Sequence, residues 1–285
     1  MFKQIAAACA LAAAAVGAQA VAVTSTKNAD TLATAIVGAG ISFSNATLTS
    51  GLSSPSGTFT GGGTGALAPV GFDTGIVLTT GTTDCVPAST GPSGPNALTD
   101  CTGDGGGATV LPNGETVFDF TSLKFDFESD TGKVFFKYVF ASEEYTDFVG
   151  QGFNDKFELL LNGVNIATVP GGPVEVDNIN CTTNSNLYRN NARPEEINNC
   201  ASLGLDIEYD GLTVVLKASG LLVNAVNTFE FRIYDRGDDA LDSAVFIEAG
   251  SFTSVDPDPV PEPGTLVLAG VALAGLAAAS RRRRT

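Results

Sequence analysis

Residues 117–140 read VFDFTSLKFDFESDTGKVFFKYVF. Phe118, Phe120, Leu123, Phe125 and Phe127 recur largely at every second position, and Val134, Phe135 and Phe136 extend the pattern. A period near two puts alternate side chains on opposite faces of an extended chain, and Phe, Val and Ile suit that pleated surface. Two strands are predicted here, over 117–128 and 133–140. Outward from this stretch, the same texture predicts strands at 75–80, 156–161, 164–169, 208–218, 227–234 and 244–252. Asn162-Gly163 reads as a two-residue hairpin turn, because both turn positions need positive φ. Asp210-Gly211 reads as a similar turn. One helix is predicted near 28–37, where Asn28 or Asp30 would cap an Ala/Leu/Ile face. Low-complexity loops are predicted at 49–69, 82–114 and 171–201. Many short strands with long loops imply an all-β class, a single jelly-roll-like β-sandwich over residues 21–255.

The ends have a different composition. Residues 1–20 carry Lys3, an Ala-rich apolar run and the small-x-small triplet Ala18-Gln19-Ala20, the layout of a secretory signal peptide. Residues 256–263 form a Pro/Asp-rich linker, stiff and extended. Residues 264–280 contain no charge and are mostly Leu, Val, Ala and Gly, close to the length a bilayer span requires. The Arg-rich tail at 281–285 would hold that end in the cytoplasm, leaving the domain on the other side of the membrane.

Composition excludes several chemistries. The 285 residues include 31 Asp+Glu, 15 Lys+Arg, no His and no Trp, for a net charge of -16. Without His there is no Ser-His-Asp or Cys-His catalysis and no His-ligated zinc. Lys3 and Arg281 to Arg284 lie in the two ends, so residues 21–263 hold 10 basic residues against all 31 acidic ones, a charge of −21. That balance argues against a nucleic-acid partner, whose phosphates call for Lys and Arg. Apart from Cys9 in the signal segment, four cysteines remain: Cys85, Cys101, Cys181 and Cys200. An even number in an exported chain points to disulfides, and three pairings are open. Proximity favours Cys85–Cys101 and Cys181–Cys200.

Two acidic segments are the candidates for chemistry. One is Glu143-Glu144 with Asp147 and Asn154-Asp155; the other runs from Asp235 through Asp238-Asp239 to Asp242. Each follows a predicted strand. Brought together, they would offer carboxylate oxygens to a hard cation, with calcium the expected ion in an exported chain lacking His. Glu143, Glu144, Asp155, Asp235 and Asp242 are the expected ligands. The competing reading makes these residues solvated loop acids. A glycosidase is not expected: adjacent Glu143 and Glu144 would face opposite sides of a strand, and no Trp is present to stack on a sugar. No catalytic residue is assigned, and the protein is expected not to be an enzyme.

Two resemblances join these readings. Pro261-Glu262-Pro263, the apolar run and the Arg cluster resemble the PEP-CTERM sorting signal of Gram-negative bacteria. The resemblance implies an exosortase as processing partner, with transient anchoring in the inner membrane before release to the cell surface or an exopolysaccharide matrix. In the body, FKYVFASEEYTDFVGQGFNDKFELLLNG at 136–163 resembles the signature of the choice-of-anchor L domain. ISFSNATLTSG, GFDTGIVLTTG, DIEYDGLTVVLKA and LDSAVFIEAGSF are similar to it in the same order. That family implies an extracellular β-sandwich module with no established catalysis. The expected role is structural or adhesive, linked to exopolysaccharide or biofilm; the alternative is a calcium-dependent carbohydrate-binding module.

Overall fold

The computed structural model describes residues 21–87, 105–193 and 200–258. Along the chain run β1 (Ala22–Ser25), helix α1 (Ala29–Ile36), β2 (Ile41–Ser50), β3 (Ser56–Thr60), β4 (Gly75–Thr79), β5 (Ala108–Val110), β6 (Thr116–Ser129), β7 (Lys133–Ser142), β8 (Lys156–Leu161), β9 (Val164–Asn165), β10 (Thr168–Val169), β11 (Gly172–Glu175), β12 (Tyr188–Asn190), β13 (Gly211–Thr213), β14 (Leu216–Leu221), β15 (Asn227–Asp235) and β16 (Ser243–Glu248). They form two antiparallel sheets. In the first the order is β1-β3-β4-β16-β7-β13-β12, with β14 also on β7. In the second it is β10-β11-β8-β15-β6-β2, with β5 on β6 and β9 on β8.

The inner faces of both sheets share one core. Phe125, Phe127, Phe229 and Phe231 come from the second sheet and Phe136, Tyr138, Val245 and Ile247 from the first, all essentially buried. Phe229 sits among Phe252, Phe231, Phe127 and Phe136 at ring-centroid distances of 4.8, 5.3, 5.5 and 5.6 Å. Three of these pairs are edge-on, the arrangement that ring quadrupoles favour. Helix α1 covers one end with Leu32, Ala33 and Ile36. Its N-cap is Asn28, whose Oδ1 accepts from Thr31 N at 2.9 Å.

The two sheets differ on their outer faces, and this explains their different texture in sequence. The second sheet turns Lys124, Glu128, Glu158, Glu230 and Arg232 outward, so much of β6, the start of β8 and most of β15 alternate. The first is buried on both faces: Phe59, Val70, Phe72, Tyr209 and Leu212 pack against Val77, Val139 and Phe246 on its far side. Strands β4 and β16 therefore read as continuous apolar runs.

The structure revises several expectations in detail. Asn162 and Gly163 take φ of 51° and 84° and close the β8–β9 hairpin, with Leu161 opposite Val164, as the sequence indicates. Asp210-Gly211 is not a turn. Gly211 lies in β13 opposite Ser142 on β7, where a Cβ would meet the Tyr188 hydroxyl at 2.4 Å and the Tyr145 ring at 2.6 Å. Glycine is required there for close approach of the rings, and the predicted 208–218 strand is divided into β13 and β14 with a break after Thr213. The predicted 49–69 loop contains β3, and the 171–201 loop contains β11 and β12. Phe118 and Phe120 do not join the core face: Val117, Asp119 and Thr121 point inward instead, and Phe120 stacks on Tyr234.

By compactness the chain divides into Met1–Val255 and Asp256–Thr285. Among the described residues no helix is long and apolar enough to cross a membrane. The signal segment 1–20, the predicted span 264–280 and the Arg tail 281–285 lie outside those residues.

Candidate functional site

The acidic segments meet at one end of the two sheets. Strand β7 ends at Ser142, and the next two residues are Glu143 and Glu144. Strand β16 begins beside it, with Ser243 opposite Ser142, so Asp242 is carried to the same edge. The Glu143 amide donates to the Asp242 carbonyl at 3.0 Å, and the Glu144 amide donates to Ser142 Oγ at 3.0 Å. From the second sheet, β15 ends at Asp235, and Asp155 immediately precedes β8. Antiparallel pairing of β8 with β15 sets Lys156 opposite Tyr234, which holds Asp155 and Asp235 at one sheet end.

All five expected ligands are buried, not solvated. Relative exposures are 3% for Glu143, 1% for Glu144, 1% for Asp155, 0% for Asp235 and 1% for Asp242. A sixth acid, Asp119 on β6, is also 0% exposed, and its charge bears on Asp235. Sequence reading missed it because the alternation was traced through Phe118 and Phe120. Its inward register with Val117 and Thr121 was the available signal.

Asp155 is the best held of the group. Ser243 Oγ donates to its Oδ2 at 2.7 Å, the Arg236 amide donates to Oδ1 at 3.3 Å, and Ser142 Oγ stands at 3.5 Å. Thr80 Oγ1 accepts from the Ser243 amide at 2.8 Å, which ties the β4 exit to the same edge. Asp242 lies directly over the backbone of Gly81, where a Cβ would stand 1.6 Å from a carboxylate oxygen. Any side chain at Gly81 would displace that carboxylate.

Two acids carry oxygens that the fold leaves without a donor. Glu144 Oε2 reaches no hydrogen-bond partner. Thr80 and the Asp155 carboxyl stand beside Asp235, yet neither Asp235 oxygen closes a hydrogen bond of normal geometry. No ion pair among the described residues reaches Glu144, Asp155 or Asp235; the nearby Arg236 pairs with Glu115 at 2.6 Å. Burial, then the charges of Asp155 and Asp238, pushes Glu144 up to about 9. Burial raises Asp155 to about 7 against the pull of the Ser243 and Arg236 hydrogen bonds. Asp235 is raised well above the usual carboxylate range by burial and by Asp155, Asp242 and Asp119. Among the described residues, no three acids stand at the spacing of a preformed metal cage.

The cysteines are partly resolved. Cys181 and Cys200 form a disulfide, as proximity suggested. Cys85 is also disulfide-bonded, while Cys101, its expected partner, lies outside the described residues. The sorting residues Pro261, Glu262 and Pro263 lie outside them as well.

Comparison with known proteins bears on the ends and the body. A PEP-CTERM protein-sorting motif matches residues 259–284. Such a signal is processed by an exosortase, so this is an exported cell-surface protein with an exosortase as partner. No curated protein and no solved structure matches the chain. The model of the Choice-of-anchor L domain matches residues 20–253, nearly the whole of the two-sheet body, and the chain belongs to that family.

Proposed function

We propose that this protein is a non-enzymatic component of the cell surface or extracellular matrix, with a structural or adhesive role linked to exopolysaccharide or biofilm. The observation carrying this reading is the sorting motif at 259–284 placed directly behind a single β domain. The domain presents a charged, alternating face from the second sheet, with Arg232 bridged to Glu230 at 2.7 Å. Lack of His and Trp weighs against catalysis and against sugar stacking. In this reading the tail 264–285 anchors the chain in the inner membrane of a Gram-negative cell until exosortase removes it. Replacing Pro261, Glu262 and Pro263 by alanine in an exosortase-bearing host tests the route. Retention of the tail and loss from the surface and the matrix fraction are expected. Unchanged delivery would overturn it.

A second reading is a calcium-dependent carbohydrate-binding module, with Glu143, Glu144, Asp155, Asp235 and Asp242 as calcium ligands. The buried Glu144 oxygen without a donor, beside the buried Asp235 carboxyl, favours the cation half of that reading. Glycan binding measured with calcium and again with chelator tests the whole. Calcium-dependent retention of a polysaccharide is the expected result, and no retention in either condition would remove it.

A further inference from the structure

We propose that the buried acids form a structural divalent-cation site that bolts the two sheets together, so that the domain reaches full stability only after export. This rests on the cation half of the second reading above, but needs no carbohydrate. The ligand candidates come from both layers. Glu144 and Asp242 leave the first sheet, at the end of β7 and the start of β16. Asp155, Asp235 and Asp119 belong to the second, before β8, at the end of β15 and within β6. An ion among them would therefore link strands whose backbones belong to different sheets.

Three observations point to an ion and not to a surface ligand. First, the acids are at most 1% exposed, too deep to meet a sugar, whereas ligands that present calcium to a partner must stay open to solvent. Second, Glu144 Oε2 lacks a donor, Asp235 has Thr80 and Asp155 beside it but neither of its oxygens closes a hydrogen bond of normal geometry, and no ion pair reaches either acid. An ionised carboxylate buried without donor or counter-charge is strongly disfavoured; it stays protonated, pairs, or coordinates a metal. Third, the surrounding groups are hard oxygen donors: the Ser142, Ser243 and Thr80 hydroxyls stand with the carboxylates. Such a set suits calcium, which tolerates irregular geometry with six to eight oxygens, and does not suit a soft metal. Among the described residues the acids stand apart from cage spacing. Binding would draw them together.

The consequence concerns when the domain folds. Where calcium is scarce, as in the cytoplasm, these carboxyls must be buried without a cation, which costs stability. Outside the cell, millimolar calcium would fill the site and close the end. Extracellular calcium modules bind with Kd of about 10⁻⁴–10⁻³ M, which matches such a switch. The energy of binding then becomes folding energy.

The test uses the exported, oxidised chain at about pH 7.5, titrated with calcium or with magnesium after EDTA treatment, and followed by calorimetry and thermal melting. Calcium should bind with sub-millimolar to millimolar Kd and raise the Tm progressively over about 0.1–10 mM, with magnesium weaker. Asp235→Asn and Glu144→Gln should each weaken calcium binding at least tenfold. In EDTA both variants should melt at or above the parent, since the parent must protonate these carboxyls to bury them at pH 7.5 and an amide need not. The two variants guard against loss of fold in either one. Absence of calcium binding and of any Tm shift in the parent would overturn the proposal. So would variants that keep the parent's calcium response. If calcium stabilises the domain and no glycan binds, the carbohydrate reading fails and the bolt stands.

Discussion

Truncating Phe229 to alanine tests whether the aromatic cluster is the main source of cohesion between the sheets. The side chain is fully buried on β15, opposite Phe125 on one neighbouring strand and Leu161 on the other. Burying a Phe is worth about 1.5–3 kcal/mol in transfer alone. Four rings lie within 5.6 Å of it by centroid, three of them edge-on, and each good pair adds about 0.5–1.5 kcal/mol. The rings cannot all collapse into the gap, so Phe229→Ala should cost about 4–5 kcal/mol, the upper part of the range for such truncations. For a domain of this size, that corresponds to a Tm lower by about 8–20 °C. The natural control is Phe148→Ala. Phe148 is half-buried outside the core clusters and pairs with Phe153 at 5.5 Å, so its loss should cost about 1 kcal/mol. Urea unfolding followed by far-UV circular dichroism, at fixed calcium, measures both. A Phe229→Ala cost below about 1.5 kcal/mol, or no larger than that of Phe148→Ala, would refute a shared aromatic core.

Three further outcomes follow from the structure. Replacing Cys181 and Cys200 by serine opens a loop of sequence separation 19 and should cost about 3 kcal/mol in the chain-entropy view, with non-reducing peptide mapping of the parent showing Cys181 joined to Cys200. Arg189 is buried and donates to the carbonyls of Thr213, Ala68 and Val70 at 3.0, 2.8 and 2.8 Å, pinning the 65–71 loop. Arg189→Met strands those acceptors and should cost about 2–4 kcal/mol, with faster proteolysis in that loop; Arg189→Lys, which lacks the planar fork, should rescue little. In EDTA, Glu144 and Asp155 have folded pKa values of about 9 and about 7, above their ordinary values of 4.5 and 3.8. The folded state then binds more protons than the unfolded one, so stability is greatest at low pH and falls as pH rises from about 4 through about 9. Melting at about pH 5.5 and pH 8 should show the lower Tm at pH 8; the reverse order would contradict it.

The legible parts of this sequence are those where one face of a strand meets water. Strands β6, β8 and β15 alternate because the second sheet is solvated outside, so period-two reading finds them. Strand β3 was hidden inside a Gly/Ser stretch. Its Ser56-Gly57 start is small because β1 packs close to it, and a Cβ on Gly57 would meet the Thr24 carbonyl at 2.7 Å. Such a demand comes from tertiary contact and leaves no local periodicity. The five acids were legible as types at strand ends, but their burial was not. It depends on β7 and β15 ending, and β8 and β16 beginning, at one end of the two sheets, a matter of strand order and register. Asp119 was lost to a phase error: the apolar residues step by three from Phe120 to Leu123, whereas burial keeps to the odd positions of β6, so Phe118 and Phe120 lie on the face opposite Phe125 and Phe127.

The most direct measurement is a crystal structure of the domain grown in millimolar calcium, with long-wavelength anomalous data. An anomalous peak is expected between the sheets, with Asp235 and at least one of Glu144 and Asp155 contributing oxygens at about 2.3–2.6 Å. The six acids unchanged in position, with no peak among them at saturating calcium, would contradict it.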